Sequence, residues 1–188
     1  MTLQNVHGDP IFTKINKHKK QYEYLTKDID TEVIIVGGGV TGSIVGYYFS
    51  KNNIPAVILE KERIAHGSTS ITTSLLQYEL DSNARDLEEY TSLENIITSY
   101  KLGLKALDEL DEFIKEYGNK CKYEKKDTLL YTSKECEVKA MEEEYKTRKN
   151  AGIDVKFISK EDNPFSLDIK GGVYGVNGGA QLDPYEYI

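Results

Sequence analysis

The chain has 188 residues, 39% of them hydrophobic and 29% charged, with a formal net charge of −7. That length allows one or two domains with a packed core, and an acidic balance without a basic stripe argues against nucleic acid as a partner. No stretch approaches the roughly 18 apolar residues needed to span a bilayer, and the polar N-terminus lacks signal-peptide character, so a cytoplasmic protein with no transmembrane segment is expected.

Residues 1–30 lack a hydrophobic period and carry Lys14, Lys17, Lys19 and Lys20. They are expected to form a charged, solvated extension that docks on the body through Tyr22, Tyr24 and Leu25. Apolar runs at 31–36 and 55–60 predict two parallel strands, with a helix over 41–52 between them. Ile44, Val45, Tyr48 and Phe49 give that helix an apolar face, and Asn52-Asn53 offers a stop.

The first strand leads into Gly37-Gly38-Gly39-Val40-Thr41-Gly42, and the second ends at Glu60. Strand, glycine turn, helix, strand and acid in this order form a dinucleotide-binding pattern. Gly37 allows the tight turn, Gly39 lets the backbone approach a pyrophosphate, and Gly42 lets the helix pack on the sheet. The helix N-terminus, with the amides of Val40 and Thr41, offers N–H groups and partial positive charge to phosphates. Glu60 lies where its carboxylate accepts hydrogen bonds from ribose hydroxyls. It would repel a 2′-phosphate, which favours NAD or FAD over NADP. The alternative is a glycine turn closing an ordinary βαβ unit.

After Glu60 the chain supplies six hydroxyl side chains, Ser68, Thr69, Ser70, Thr72, Thr73 and Ser74, before Leu75-Leu76. A short loop this rich in donors suits phosphate oxygens or a polar ring edge. A solvent-facing Ser/Thr loop is the alternative, but entry into an apolar pair predicts partial burial, and buried hydroxyls need partners. Lys61 is placed near the adenine. His66 is read as structural or solvated, Asp81 as a cap for the next helix, and Tyr78 as packing.

From about residue 84 to residue 117 the period is helical, with a break near Tyr90–Ser92 and a stripe of Leu93, Ile97, Tyr100, Leu104, Leu107 and Ile114. Gly118 suits the position after the helix. Tyr123 and Thr128–Tyr131 read as short strands around a charged turn, Glu124–Asp127. Thr132 and Glu135 form a candidate capping box for a helix ending near Asn150, with Gly152 after it. Val155–Ile158 is a strand, followed by a polar turn to Pro164. Asp183 and Pro184 are a good N-cap and first helical residue. Cys121 and Cys136 are read as reduced structural thiols, and no metal site is assigned.

The segment from Val33 to Leu76 resembles the start of FAD-dependent oxidoreductases of the D-amino-acid oxidase and glycine oxidase group, to which the glycerol-3-phosphate dehydrogenase flavoproteins are related. Its hydrophobic strand, G-x-G-x-x-G turn, Glu60-Lys61 and the loop Gly67-Ser68-Thr69-Ser70-Ile71-Thr72-Thr73-Ser74-Leu75 carry the likeness. Gly171-Gly172-Val173-Tyr174 and Asn177-Gly178-Gly179-Ala180-Gln181-Leu182-Asp183-Pro184 are similar to a family strand pair with an N-G turn before Asp-Pro.

The resemblance covers roughly residues 30–188 and implies FAD rather than NAD as cofactor. It also implies oxidation of a small amine, amino acid or hydroxy compound by hydride transfer to the flavin. The expected fold is α/β: a Rossmann-like FAD-binding βαβ core over 31–80 after the 1–30 extension. Residues 81–188 would then hold a helical segment and the beginning of a mixed-sheet substrate domain. Much of the family's substrate domain follows this point, so the chain is expected to be the N-terminal part of a larger enzyme. Its catalytic residues are unassigned and its electron acceptor is open. An NAD-dependent dehydrogenase and a non-catalytic nucleotide-binding fragment are the alternatives.

Overall fold

A computed structural model describes residues 8–16 and 21–188, so Lys17, Lys19 and Lys20 lie outside the described residues. In chain order the elements are α1 (Ile11–Ile15), β1 (Val33–Val36), α2 (Val40–Lys51), β2 (Ala56–Leu59), a 3-10 turn at Ser68–Ile71, β3 (Leu75–Gln77), α3 (Ala84–Leu87), α4 (Leu93–Tyr117), β4 (Glu124–Thr132), a 3-10 turn at Glu135–Glu137, α5 (Val138–Asn150), β5 (Val155–Ser159), β6 (Gly171–Gln181) and α6 (Pro184–Tyr187). They divide into two units, one holding the residues up to Ser74 with Lys120–Lys122 and Leu182–Ile188, the other the remainder.

In the first unit β1 and β2 pair in parallel, Val33 opposite Ala56 and Val36 opposite Leu59. The β-branched run of β1 alternates faces, as a strand must. Ile35 is buried, while Ile34 and Val36 on the opposite face are 61% and 87% exposed. Gly42 permits the close helix–strand approach, since a Cβ there would lie 2.0 Å from the Gly37 carbonyl oxygen. α2 stops at Asn52, with Asn53 at φ 57°, as the Asn pair predicts. Tyr24 and Leu25 remain exposed, Tyr22 borders a hollow beside α2 with Ser43, Gly46 and Tyr47, and the arm also packs through α1, against the Ser68–Ile71 turn and α6.

In the second unit β6 is the central strand of an antiparallel sheet. β4 runs along one edge, and β5 and β3 share the other. The core gathers Tyr78, Ala84, Ile96, Tyr100, Ile153, Val155 and Val173. The break between α3 and α4 falls at the predicted place, and Ser92 caps α4 by accepting the Asn95 N–H at 3.3 Å. The buried stripe of α4 is Ile96, Tyr100, Leu107 and Ile114; Leu93 is exposed.

Four local expectations are corrected. Glu124–Asp127 is strand, not turn: it pairs with β6 through a register shift between Lys126 and Thr128. Asn177-Gly178 makes no hairpin, because β6 runs unbroken through it; Asn177 takes φ 52°, and its N–H donates to Asp127 Oδ1 at 2.8 Å. The pairing partners lie some fifty residues away, and their ladder outweighs the local turn preference. Thr132 ends β4 rather than capping a helix, and its hydroxyl donates to Glu137 Oε2 at 2.6 Å. Asp81 does not cap α3: Asn83 is the N-cap residue, and Glu144 Oε2 accepts the Ala84 N–H at 2.8 Å.

Candidate functional site

The glycine turn joins β1 to α2 in the first unit. Gly37 sits at φ 107°, a region costly to side-chain-bearing residues, and its N–H donates to the Leu59 carbonyl at 2.8 Å. Gly39 is the N-cap residue of α2, and Val40, Thr41 and Gly42 form its first turn. The first bond along the helix runs from Ser43 N to Gly39 O at 3.0 Å, so the Val40, Thr41 and Gly42 amides precede the ladder and have no acceptor within it.

Glu60 turns back onto this glycine run. Its Oε2 accepts the Gly38 N–H at 2.8 Å, and its Oε1 accepts the Glu62 N–H at 2.9 Å. Burial, the largest influence on its pKa, opposes ionisation. The Glu62, Gly38 and Lys61 amides and the Lys61 charge outweigh it and hold the carboxyl below the ordinary glutamate range. An ionised carboxylate has about four acceptor positions. The Gly38 and Glu62 amides take two of them and the Lys61 amide leans on the same group, which still leaves acceptor capacity for a hydroxyl donor.

The hydroxyl loop reaches the same place. Thr69 is buried, and its Oγ1 accepts the Val40 N–H at 3.2 Å, so its own O–H can still donate. Ser70 is also buried, but its hydroxyl donates to the Gly67 carbonyl at 2.8 Å and so braces the turn. Thr72 accepts the Ser74 N–H at 3.2 Å; Ser68, Thr72 and Thr73 are exposed. The structure thus brings Gly37, Gly39, Val40, Thr41, Gly42, Glu60 and Thr69 together at one helix end. Lys61 stays in solvent, with its ammonium 3.9 Å from Glu62 Oε1. His66 Nδ1 lies 2.9 Å from the Ile64 carbonyl, and its ring stands edge-on to Tyr185.

Two features of the site escape the motif. Gly38 is clamped on both sides of its peptide, because Ala65 N also donates to its carbonyl at 3.1 Å. A Cβ on Gly38 would meet Ile64 at 3.2 Å and Glu60 at 3.3 Å. The signal was present as three consecutive glycines where the pattern asks for two. The second feature is Ser74 Oγ, which is buried and has no hydrogen-bond partner among the described residues.

The arrangement fits FAD. A Cβ on Gly39 would meet only Thr69 Oγ1, at 3.0 Å, so the glycine surface is otherwise open to a diphosphate. Helix amides, hydroxyl donors and a carboxylate match a pyrophosphate and a ribose in chemistry.

Comparison with known proteins agrees with this geometry. The chain is 25% identical over 177 residues to YhfW of Bacillus subtilis (strain 168), named as a Rieske 2Fe-2S iron-sulfur protein; the match covers 94% of this chain and 34% of YhfW. Among solved structures it resembles glycine oxidase from Geobacillus kaustophilus (TM-score 0.64, 20% identity, 83% of this chain and 41% of that one). It also resembles L-amino acid deaminase from Proteus vulgaris (TM-score 0.67, 15% identity, 90% and 38%). A third is L-alpha-glycerophosphate oxidase from Mycoplasma pneumoniae with FAD bound (TM-score 0.55, 20% identity, 83% and 40%). The chain therefore spans about 40% of the length of these structures. No helix among the described residues is long and apolar enough to cross a membrane. The family model of FAD dependent oxidoreductases, DAO, matches residues 32–188, and the chain belongs to that family.

Proposed function

We infer that this chain forms the FAD-binding portion of a flavin oxidoreductase that oxidises a small amine, amino acid or hydroxy compound. The observation that carries this reading is the meeting of Glu60, Gly38, Val40 and Thr69 at the N-terminus of α2, over 2.8 Å and 3.2 Å hydrogen bonds. Gly37, Gly39 and Gly42, with the amides of Val40 and Thr41, shape and polarise the diphosphate cradle. Glu60 holds the ribose with its remaining acceptor positions. Thr69 donates to a phosphate oxygen, and Ser68, Ser70, Thr72 and Thr73 complete the loop that borders the cofactor. Lys61 lies at the rim, on the adenine side. When bound, FAD supplies the redox chemistry by accepting a hydride from a C–H beside nitrogen or oxygen. The substrate class follows the structural neighbours, a glycine oxidase, an L-amino acid deaminase and an L-alpha-glycerophosphate oxidase.

The test is an absorbance spectrum of the protein with and without added FAD, followed by anaerobic mixing with amines, amino acids and hydroxy acids. Flavin bands that bleach with one member of the panel support the reading. A protein that never takes up FAD overturns it, and FAD that no substrate reduces favours a nucleotide-binding module without turnover.

A further inference from the structure

α1 is five residues long and has no buried residue; Ile11 and Ile15 both face solvent. A helix this short does not hold itself in water, so something outside it must fix its place. Asn16, the residue that ends it, donates from Nδ2 to Asp183 Oδ2 at 2.7 Å. Asp183 is itself a rigid anchor. It is buried, its Oδ1 accepts the Tyr185 and Glu186 amides at 3.0 and 3.2 Å, and its own N–H donates to the Cys121 carbonyl at 2.7 Å. From that anchor α1 lies against the Ser68–Ile71 turn. The turn is joined to the glycine run by the Thr69–Val40 bond at 3.2 Å. The family match begins at residue 32, so this covering segment lies outside it.

We propose that residues 10–16 are a strap that holds the hydroxyl turn on the N-terminus of α2, with Asn16 and Asp183 as the positioning residues that fasten it. The strap acts through Thr69: while Asn16 is tied to Asp183, α1 covers the turn and keeps its hydroxyl on the Val40 amide. Once the tie is cut, α1 is left with the half-buried Pro10, Phe12 and Thr13 as its hold, and the turn is free to lift. For its effect on cofactor retention, though not for its geometry, the proposal rests on the flavin-site reading above.

Asn16→Asp sets two carboxylates against each other. Combining Asn16→Asp with Asp183→Asn restores a carboxylate–amide pair, and the new amide side chain on α6 still serves as an N-cap. Hydrogen exchange on the full chain without FAD reads the strap directly. The Val40 and Ser70 amides should exchange about tenfold faster in Asn16→Asp, the weight of one hydrogen bond to a charged group, and return toward the wild-type rate in the double variant. FAD release, followed by the recovery of flavin fluorescence, should accelerate and recover in parallel. Unchanged exchange in a folded Asn16→Asp protein, failure of the double variant to rescue it, or FAD leaving Asn16→Asp at the wild-type rate each overturns the strap. Absence of FAD binding by the wild type overturns the site reading instead, and the exchange comparison then decides the strap alone.

Discussion

Arg148 Nε donates to Glu144 Oε1 at 2.7 Å, one helical turn apart on α5, with the two side chains only 3% and 1% exposed. Around this pair Arg148 Nη1 donates to the Tyr78 hydroxyl at 3.0 Å and to Glu79 Oε1 at 3.1 Å. Tyr100 donates to Glu144 Oε1 at 3.3 Å, and the rings of Tyr78 and Tyr100 flank the guanidinium. Burial works against the Arg148 charge, but Tyr78 and Glu144 outweigh it and raise its pKa. The group links α3, α4, α5 and the segment after β3 in the second unit.

Removing Arg148 leaves the Glu144 carboxylate buried without a cation, whereas removing Glu144 leaves Arg148 its second carboxylate, Glu79. Arg148→Met should destabilise the second unit by about 3–5 kcal/mol in denaturant titrations, and Glu144→Gln by less because Glu79 still faces the guanidinium. The combination Glu144→Gln with Arg148→Met should cost less than the two single changes added together, a coupling of about 1 kcal/mol or more. Additive losses would show that the pair is not the organising contact.

Tyr78 and Tyr100 predict weakness in alkali. Burial raises the pKa of Tyr78 against the opposing Arg148 charge, and burial together with Glu144 raises that of Tyr100. Their unfolded counterparts ionise near the ordinary value of 10.0 while the folded groups stay protonated. Stability is therefore full below that pH and is lost as the pH rises toward the folded values. Phenolate absorbance of these two tyrosines should appear together with unfolding, and Tyr100→Phe should flatten the alkaline limb.

The glycines of the turn should separate by mechanism. Gly42→Ala puts a Cβ 2.0 Å from the Gly37 carbonyl oxygen, so it should break the β1–α2 junction and lower thermal stability. Gly39→Ala meets only Thr69 Oγ1 at 3.0 Å, so it should fold normally and lose FAD affinity in a fluorescence titration. Equal loss of stability in both would contradict the division.

Glu60→Arg should weaken FAD binding by about 1–3 kcal/mol, the range for a hydrogen-bonding charged group. Because the Glu60 carboxyl is held below its ordinary value of 4.5, its contribution is present above that pH and lost as the pH falls through the depressed value. Affinity measured from about pH 8 down to about pH 5 should be level with respect to this group.

What was legible in the sequence was what is local. The glycine turn, Glu60, the stop at Asn52-Asn53 and the Asp183-Pro184 cap depend on neighbours within one βαβ unit or one helical turn, and each side chain's chemistry suffices. Asp183 accepts the two amides an N-cap should accept. The strand character of Glu124–Asp127 was not legible, because its charges are absorbed by ion pairs such as Lys125 with Asp111 at 3.5 Å and Lys126 with Glu124 at 2.7 Å. The cap of α3 was hidden for a related reason: Glu144 stands sixty positions from Ala84. Tyr78, read as packing, does pack, but its hydroxyl also receives Arg148. The Glu144–Arg148 spacing of four on a predicted helix was the available signal.

The outward face of β1 has a consequence for handling the protein. Ile34 and Val36 stand exposed on a sheet that pairs β1 with β2 alone among the described residues, a surface that invites edge-to-edge association. The formal net charge of −7 opposes such association, and that opposition fades as the pH falls toward the isoelectric point of about 5.1 that the composition sets. Acid titrations of Glu60 will therefore cross a zone of colloidal instability, and Ile34→Lys, on the same exposed face but set back from the glycine turn, should restore clear solutions there.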